Sequence, residues 1–376
     1  MNPHHMLPET NLDEQAMQDF VADFRKYLAS ALMPGNEIVY EHRVRPKFRS
    51  AHDRDPATHR EVRQWMTKDD YYQFWSATQR RSQELMWESV IAPTERQLDA
   101  LVERYRDAAR ARPAGGTLEL DEALEVPRYH TAVDIHIQPG GYHTDFADDD
   151  VAAGALYEGG LPIYIGGALG PNSDGIGRAL AEYVQKGYAD VSPRRVLDMG
   201  CAVGNSTLPW AVAYPDAEIH AIDVAAPCLR FAHARSEAYG LPIHYSQQNA
   251  EETRFADGSF DLVISHIMLH ETSKKALTRI LEESLRLLKP GGLMFHLDVP
   301  RGSSPFEQFM MQWECYNNNE TFGAYLTDAN LVDVATAAGF PEPDVAMEEV
   351  PGGMYDGQKN YSTADFVWPV LVGRKR

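Results

Sequence analysis

Two acids and a run of small residues mark the stretch of this chain that is able to do chemistry. Asp198 is followed by Gly200, Ala202 and Gly204 at alternate positions, within Val196-Leu-Asp-Met-Gly-Cys-Ala-Val-Gly-Asn-Ser-Thr207. Glycines here permit a tight turn with no Cβ between backbone and ligand. About nineteen residues past Gly204, the run Glu218-Ile-His-Ala-Ile-Asp223 ends in a second acid. A carboxylate at that place suits a two-point grip on a ribose diol. Farther on stand His266 and His270, whose side chains titrate in the range that a general base requires. The chemistry implied is the holding of a nucleoside-like ligand, with proton transfer available beside it.

Particular elements must position these groups. Val196 and Leu197 read as the apolar end of a buried strand, with Asp198 at its carboxyl edge. Asn205, Ser206 and Thr207 can cap the helix that follows. Strand, glycine turn and helix N-terminus form the nucleotide-binding corner of a doubly wound α/β sheet. From residue 194 onward the pattern alternates strand and helix. Strands are expected near 195–199, 218–222, 243–246, 260–265, 292–299, 343–349 and 366–373. Helices are expected near 205–213, 226–239, 273–288 and 327–338. The dinucleotide pattern G-x-G-x-x-G is not met, because 202 is Ala and 205 is Asn, which counts against NAD.

This arrangement resembles the class I S-adenosylmethionine-dependent methyltransferases, over roughly residues 155–376. The resemblance implies a Rossmann-like seven-stranded sheet with an antiparallel last strand, and S-adenosylmethionine as cofactor. It implies that Asp198, Gly200, Cys201, Ala202 and Gly204 form the first cofactor motif, and that Asp223 and Val224 form the second. Asn249 matches the position that takes the adenine amino group, with Ala250 supplying a backbone contact. Ser265 and His266 end the fourth strand, where they would face the methionine part of the cofactor or the acceptor. Tyr157 and Tyr164, just upstream of the first motif, would cover the cofactor. Methyl transfer from a sulfonium is an in-line displacement in which alignment carries much of the rate. A base is needed only where the nucleophile still holds a proton, and His266 or His270 stands in position for it.

The first 150 or so residues lie outside the resemblance and read as a mostly helical domain, lining the acceptor pocket or making a homodimer contact. Asn11 and Glu14 form a candidate capping pair. Asp69-Asp70 opens a helix toward Ile91, and Pro93 starts the next. Residues 129–137 alternate, as an edge strand does. His130, Asp134, His136, His143 and Asp145 are of metal-ligand type, but their spacing matches no specific pattern, and no metal is assigned. His4 and His5 sit in a polar start expected to fray. In the second domain, 151–376, the insertion 301–326 is expected to wall the active site. Met310, Met311, Trp313, Tyr316 and Phe322 are its candidate acceptor contacts.

Composition narrows the function classes. A net charge of −20 over 376 residues argues against nucleic acid as the main partner. No apolar run reaches membrane-spanning length, and there is no apolar leader region. Cys201, Cys228 and Cys315 form neither a disulfide framework nor a zinc pattern, which suits a reducing cytoplasm. The expected function is methyl transfer to a small-molecule acceptor. The alternatives are a macromolecule methyltransferase, a non-catalytic module that binds the cofactor, and a metal-dependent enzyme using the histidine-rich segment.

Overall fold

The computed structural model describes residues 4–355, 361–362 and 366–376. The second half of the chain builds a sheet from β2 (Arg195–Met199), β3 (Glu218–Asp223), β4 (Ile243–Gln247), β5 (Phe260–His266), β6 (Leu288–Leu297), β7 (Val345–Pro351) and β10 (Val367–Arg374). One further strand comes from the first half: β1 (Thr117–Glu119) pairs in parallel with β4, with Leu118 opposite Tyr245. The sheet therefore has eight strands, not the seven expected, in the order β1-β4-β3-β2-β5-β6-β10-β7. Three residues are too few to show an alternation, so β1 leaves no trace in the sequence pattern. β10 runs antiparallel to both of its neighbours, as expected of the last strand. A short antiparallel pair, β8 (Met354–Tyr355) with β9 (Tyr361–Ser362), lies in the connection before β10. Part of that connection falls outside the described residues.

Alternation along the strands sets the two layers. Val196, Ile219, Leu262 and Ile264 pack under helices 175–187, 208–213 and 226–238. Leu197, Ile222 and Val263 face the other way, onto helices 274–287 and 331–337. Strands covered on both faces are apolar at nearly every position. The order reverses at β2, which lies between β3 and β5, so the carboxyl ends of these strands open a crevice.

The first half is helical. Helix Leu12–Tyr27 starts with the expected capping box, in which Glu14 N donates to Asn11 Oδ1 at 2.9 Å and Asn11 N donates to Glu14 Oε2 at 2.8 Å. Helix Asp70–Arg96 runs through Pro93 instead of breaking there. Proline cannot bond the carbonyl four residues back. Here that carbonyl, Ser89 O, instead accepts from Gln18 Nε2 at 3.1 Å. From His4, where the described residues begin, the chain is packed against its neighbours. Met6 is fully buried, and the His4 ring meets Phe231 and Tyr239 edge-on.

Two segments differ from their sequence patterns. Residues 129–137 form no strand; they hold one turn of helix, Arg128–Thr131, and a 3-10 turn, Ile135–Ile137. His136 and Ile137 both take φ near 53°, which no strand permits. Side chains replace the missing ladder: Gln83 Nε2 and Trp87 Nε1 both donate to His136 O at 2.9 Å. The glycine-rich stretch before the sheet is helix Ala152–Tyr164, wedged between the sheet layer and the N-terminal helices. A Cβ on Gly154 would lie 2.4 Å from Phe231 Cβ, so glycine is what allows the two helices to close up. No helix among the described residues is long and apolar enough to cross a membrane.

Candidate active site

The glycine corner is built around its two acids. Gly200, Ala202 and Gly204 all have positive φ, of 72°, 45° and 77°. For Ala202 this conformation is strained. It is held because Ala202 N donates to Asp223 Oδ2 at 2.8 Å, while Ala225 N donates to Asp223 Oδ1 at 2.9 Å. Asp223 thus ties the first motif to the second, and each of its oxygens keeps a lone pair free. Burial pushes its carboxyl above the ordinary range, against nearby His130 and those two amides. Asp198 lies behind the turn: Thr207 Oγ1 donates to its Oδ2 at 2.6 Å, and its Oδ1 faces His266 Nδ1 at 3.5 Å.

A cleft opens along the carboxyl ends of β2, β3, β4 and β5. Eight of the residues singled out from sequence line it: Tyr157, Gly200, Ala202, Asp223, Val224, Asn249, Ala250 and His266. Asn249 Oδ1 already accepts from Glu251 N at 3.0 Å, which shapes its own loop and leaves one lone pair free. Cys201 and Gly204 support the turn from inside without reaching the lining. A Cβ on Gly204 would meet Tyr245 Oη at 2.6 Å. Ser265 turns away from the cleft: it bonds His296 Nδ1 at 2.8 Å, and His296 Nε2 meets Ser284 Oγ at 3.1 Å on the opposite face of the sheet. The alternation of β5 accounts for this, since consecutive residues point to opposite faces.

Neither histidine proposed as a base turns a free ring nitrogen into the cleft. His266 Nε2 accepts from Trp210 Nε1 at 3.4 Å, so its Nδ1 carries the proton that points toward Asp198. His270 is buried outside the lining, its Nδ1 2.7 Å from Asp298 Oδ1. Burial alone would lower its pKa, but Asp298, Glu320 and Glu271 outweigh this and hold it at about 10. Beside it lies His136, likewise pulled down by burial but held at about 9 by Glu320 and Glu271. Glu271 lines the cleft. Burial would raise its pKa, yet His136, His270 and His130 keep it below the usual carboxylate range, so it is ionised.

Tyr164 does not line the cleft. Its ring meets His136 edge-on at 5.6 Å and lies under the guanidinium of Arg25 at 4.8 Å. The insertion does not present its aromatic residues to the cleft. Trp313 is buried, donates to Ser76 Oγ at 2.8 Å and stands edge-on to Trp75. Met310 packs in the same cluster with Tyr40 and Tyr72. Met311 and Tyr316 are 42% and 47% exposed, and Tyr316 carries Arg63 over its ring. Phe322 comes nearest, edge-on to Tyr129, which does line the cleft. The stripe on the insertion matches an aromatic stripe on helix Asp70–Arg96, and the two bury each other. Of the five residues that resembled metal ligands, His130 and His143 sit ring to ring at 5.7 Å, and only His136 joins a wider cluster.

Sequence reasoning missed Tyr129, Tyr142, Glu271, Glu320 and Asp298. Asp298 had a readable signal, an acid at the carboxyl edge of β6. Glu320 had none.

Comparison with known proteins bears on this geometry. Residues 196–292 match the family described as methyltransferase domain. A malonyl-(acyl-carrier protein) O-methyltransferase of Legionella pneumophila is 26% identical over 173 residues, covering 46% of this chain and 58% of that one. A demethylmenaquinone methyltransferase of Thermus thermophilus is 32% identical over 109 residues, covering 29% and 49%. The solved phosphoethanolamine N-methyltransferase 2 of Haemonchus contortus with S-adenosyl-L-methionine aligns with a TM-score of 0.38 at 16% identity, over 52% of each chain. The chain spans about half the length of the curated relatives it matches. Over residues 196–292, then, the chain matches a methyltransferase domain, and the relatives named above are methyltransferases.

Proposed function

We propose that this protein transfers a methyl group from S-adenosylmethionine to a small-molecule acceptor bound in the cleft at the carboxyl ends of β2 to β5. The observation that carries this reading is the closure of the strained Gly200–Gly204 turn on Asp223, which sets Gly200 and Ala202, with no side chain larger than a methyl group between them and the cleft, beside an acid. A Cβ at Gly200 would lie 2.4 Å from Met268 Cγ, so the cradle depends on glycine. In this reading Asp223 holds the ribose hydroxyls. Asn249 and Ala250 hold the adenine, and the backbone of Gly200 and Ala202 runs against the amino-acid part. The bound cofactor supplies a methyl group on a positively charged sulfur, already a good leaving group.

The acceptor enters from the side walled by Tyr129, His130, Tyr142 and Glu271. Three of these four come from the first 150 residues, which supports a role for that region in shaping the acceptor pocket. The relatives named for malonyl-acyl-carrier protein and for demethylmenaquinone match over 46% and 29% of this chain and differ in the acceptor they are named for. In this reading acceptor choice resides in the walls peculiar to this chain. Because neither His266 nor His270 turns a free ring nitrogen into the cleft, the base role passes to Glu271. Its carboxylate accepts the hydrogen of the acceptor's nucleophile and takes that proton as the new bond to carbon forms.

Calorimetric titration with S-adenosylmethionine, S-adenosylhomocysteine and NAD tests the reading. Binding of both adenosyl ligands and not of NAD is expected, and it should weaken in Asp223→Ala. Tight NAD binding, or adenosyl binding indifferent to Asp223, would reject it.

A further inference from the structure

Behind Glu271 lies a cluster of polar side chains that the methyl-transfer reading leaves unused. His136, His270 and Glu320 each turn one potential donor atom toward a common point, all three within 4.8 Å of one another. They come from three separate parts of the chain: the 3-10 turn 135–137, the turn after β5, and the insertion.

The orientation of each ring is fixed from behind by a carboxylate. Asp298 Oδ1 sits 2.7 Å from His270 Nδ1, which leaves Nε2 facing Glu320 Oε2 at 3.9 Å. Glu271 Oε1 sits 3.5 Å from His136 Nε2, which leaves Nδ1 facing Glu320 Oε1 at 3.1 Å. A carboxylate on the far nitrogen of an imidazole is the usual outer support of a metal-ligating histidine. Although the last distance is short enough for a hydrogen bond, the atoms are not aligned for one, and His136 Nδ1 is buried without a partner. Donor atoms about 3–4 Å apart are what a single ion with bonds of about 2.1 Å draws together.

The backbone supports the same arrangement. His136 is held at positive φ beside Ile137, a β-branched residue in the same region, and Asn319 next to Glu320 is also at positive φ. Strain of this kind persists only where the surroundings enforce it, and it gathers at ligand sites. Asn319 Nδ2 donates to Asp134 O at 3.0 Å and so locks the two ligand-bearing loops together. The charges are unbalanced as well. Glu271, Asp298, Glu314 and Glu320 surround the two imidazoles, while the nearby cations Arg25 and Arg301 spend hydrogen bonds on Ser82, the Tyr164 carbonyl and the Ala329 carbonyl.

We propose that His136 Nδ1, His270 Nε2 and the Glu320 carboxylate bind one first-row transition-metal dication, of which zinc suits the donor set. Two imidazoles and one carboxylate favour such ions over magnesium or calcium, which take oxygen ligands. Three protein ligands leave coordination positions open. The site rests on these residues alone and does not depend on the methyl-transfer reading.

Full-length protein stripped with a chelator and titrated calorimetrically with Zn²⁺ should take up one equivalent. His270→Ala and Glu320→Gln should each weaken this uptake at least tenfold, and Asp298→Asn should weaken it about 10–100-fold. S-Adenosylmethionine titrated into the same samples is a separate readout, so failure of either proposal is seen independently. X-ray absorption of the zinc-loaded wild type covers the case of a variant that does not fold; two imidazoles around the ion are expected. No stoichiometric uptake, uptake indifferent to His270 and Glu320, or a spectrum without imidazole would overturn the site. The three residues would then be an ion-pair cluster.

Discussion

Asp198 and His266, at the ends of adjacent parallel strands, face each other with Oδ1 and Nδ1 3.5 Å apart, and neither atom has another partner. With Thr207 on the other oxygen of Asp198 and Trp210 on the other nitrogen of His266, four side chains form one buried line beneath the glycine turn. The acid of the first motif thus acts as a strut, and the turn above it depends on the line being complete. Thr207→Val keeps the volume but deletes a hydrogen bond to a buried carboxylate. The expected cost is about 1–3 kcal/mol of folding stability. Adenosyl affinity should fall with it. Urea denaturation and calorimetry on the same sample check both, and an unchanged midpoint would show that the line is not under load.

Asp223 has two tasks in the proposed site, the turn and the ribose. Asp223→Ala removes both and should weaken adenosyl binding by about 1.5–3 kcal/mol, as loss of charge-assisted bonds does. Asp223→Asn separates them, because an amide has one accepting oxygen for the two backbone N–H groups at Ala202 and Ala225. Asn should therefore lose nearly as much as Ala. Near-wild-type affinity in Asn would mean that the turn does not need both oxygens.

Glu271 lines the cleft on its proposed acceptor side, and its neighbours hold it below the usual carboxylate range. Glu271→Gln keeps its shape and removes its basicity. With a proton-bearing acceptor, kcat should drop about a hundredfold or more, which is within the usual range for a general base. Adenosyl affinity should stay put. Equal loss in His266→Gln and none in Glu271→Gln would return the base role to the histidine.

The cofactor half of the site was legible because its requirements are local. A turn that needs positive φ must show glycines, and a strand edge that grips a diol must show an acid, so Gly200, Gly204 and Asp223 announce themselves. β5 announced itself too, but which face each residue takes was not read through, and Ser265 fell on the wrong one. The acceptor side was not legible, for a physical reason. Its walls are assembled from Tyr129, Tyr142 and Glu271, residues whose meeting depends on long-range packing. An aromatic stripe such as Phe306 to Trp313 looks the same whether it lines a pocket or fills a core. Only the matching stripe of Tyr72 and Trp75 decides, and sequence alone does not show that the two meet.

That distinction can be measured. Trp313→Ala removes a buried indole packed against Trp75 and bonded to Ser76. As a core residue it should cost about 3–5 kcal/mol of stability. Adenosyl affinity and KM for the acceptor should be unchanged at temperatures where the variant is folded. A raised KM with little loss of stability would put Trp313 in the acceptor pocket instead.

Glu158 supplies a test by pH. Its Oε1 lies 3.3 Å from Arg235 Nη2, with both side chains buried, and its Oε2 accepts from Asn205 at 2.9 Å. Burial would raise its pKa, but Arg235, His4 and Asn205 outweigh burial and bring it below the ordinary value of 4.5. The folded protein therefore holds this carboxylate ionised where the unfolded chain would protonate it. The resulting stability is complete above a pH of about 4.5 and is lost as pH falls through the lower folded value. Glu158→Gln leaves Arg235 buried without its counter-charge and should cost about 3 kcal/mol at neutral pH. The gap between wild type and variant should narrow as pH drops below about 4.5, because the wild-type carboxyl then takes up the proton that the amide imitates. Urea midpoints at pH 7, 5 and 4 measure that gap, and a constant difference across the series would show that the ion pair does not couple folding to pH.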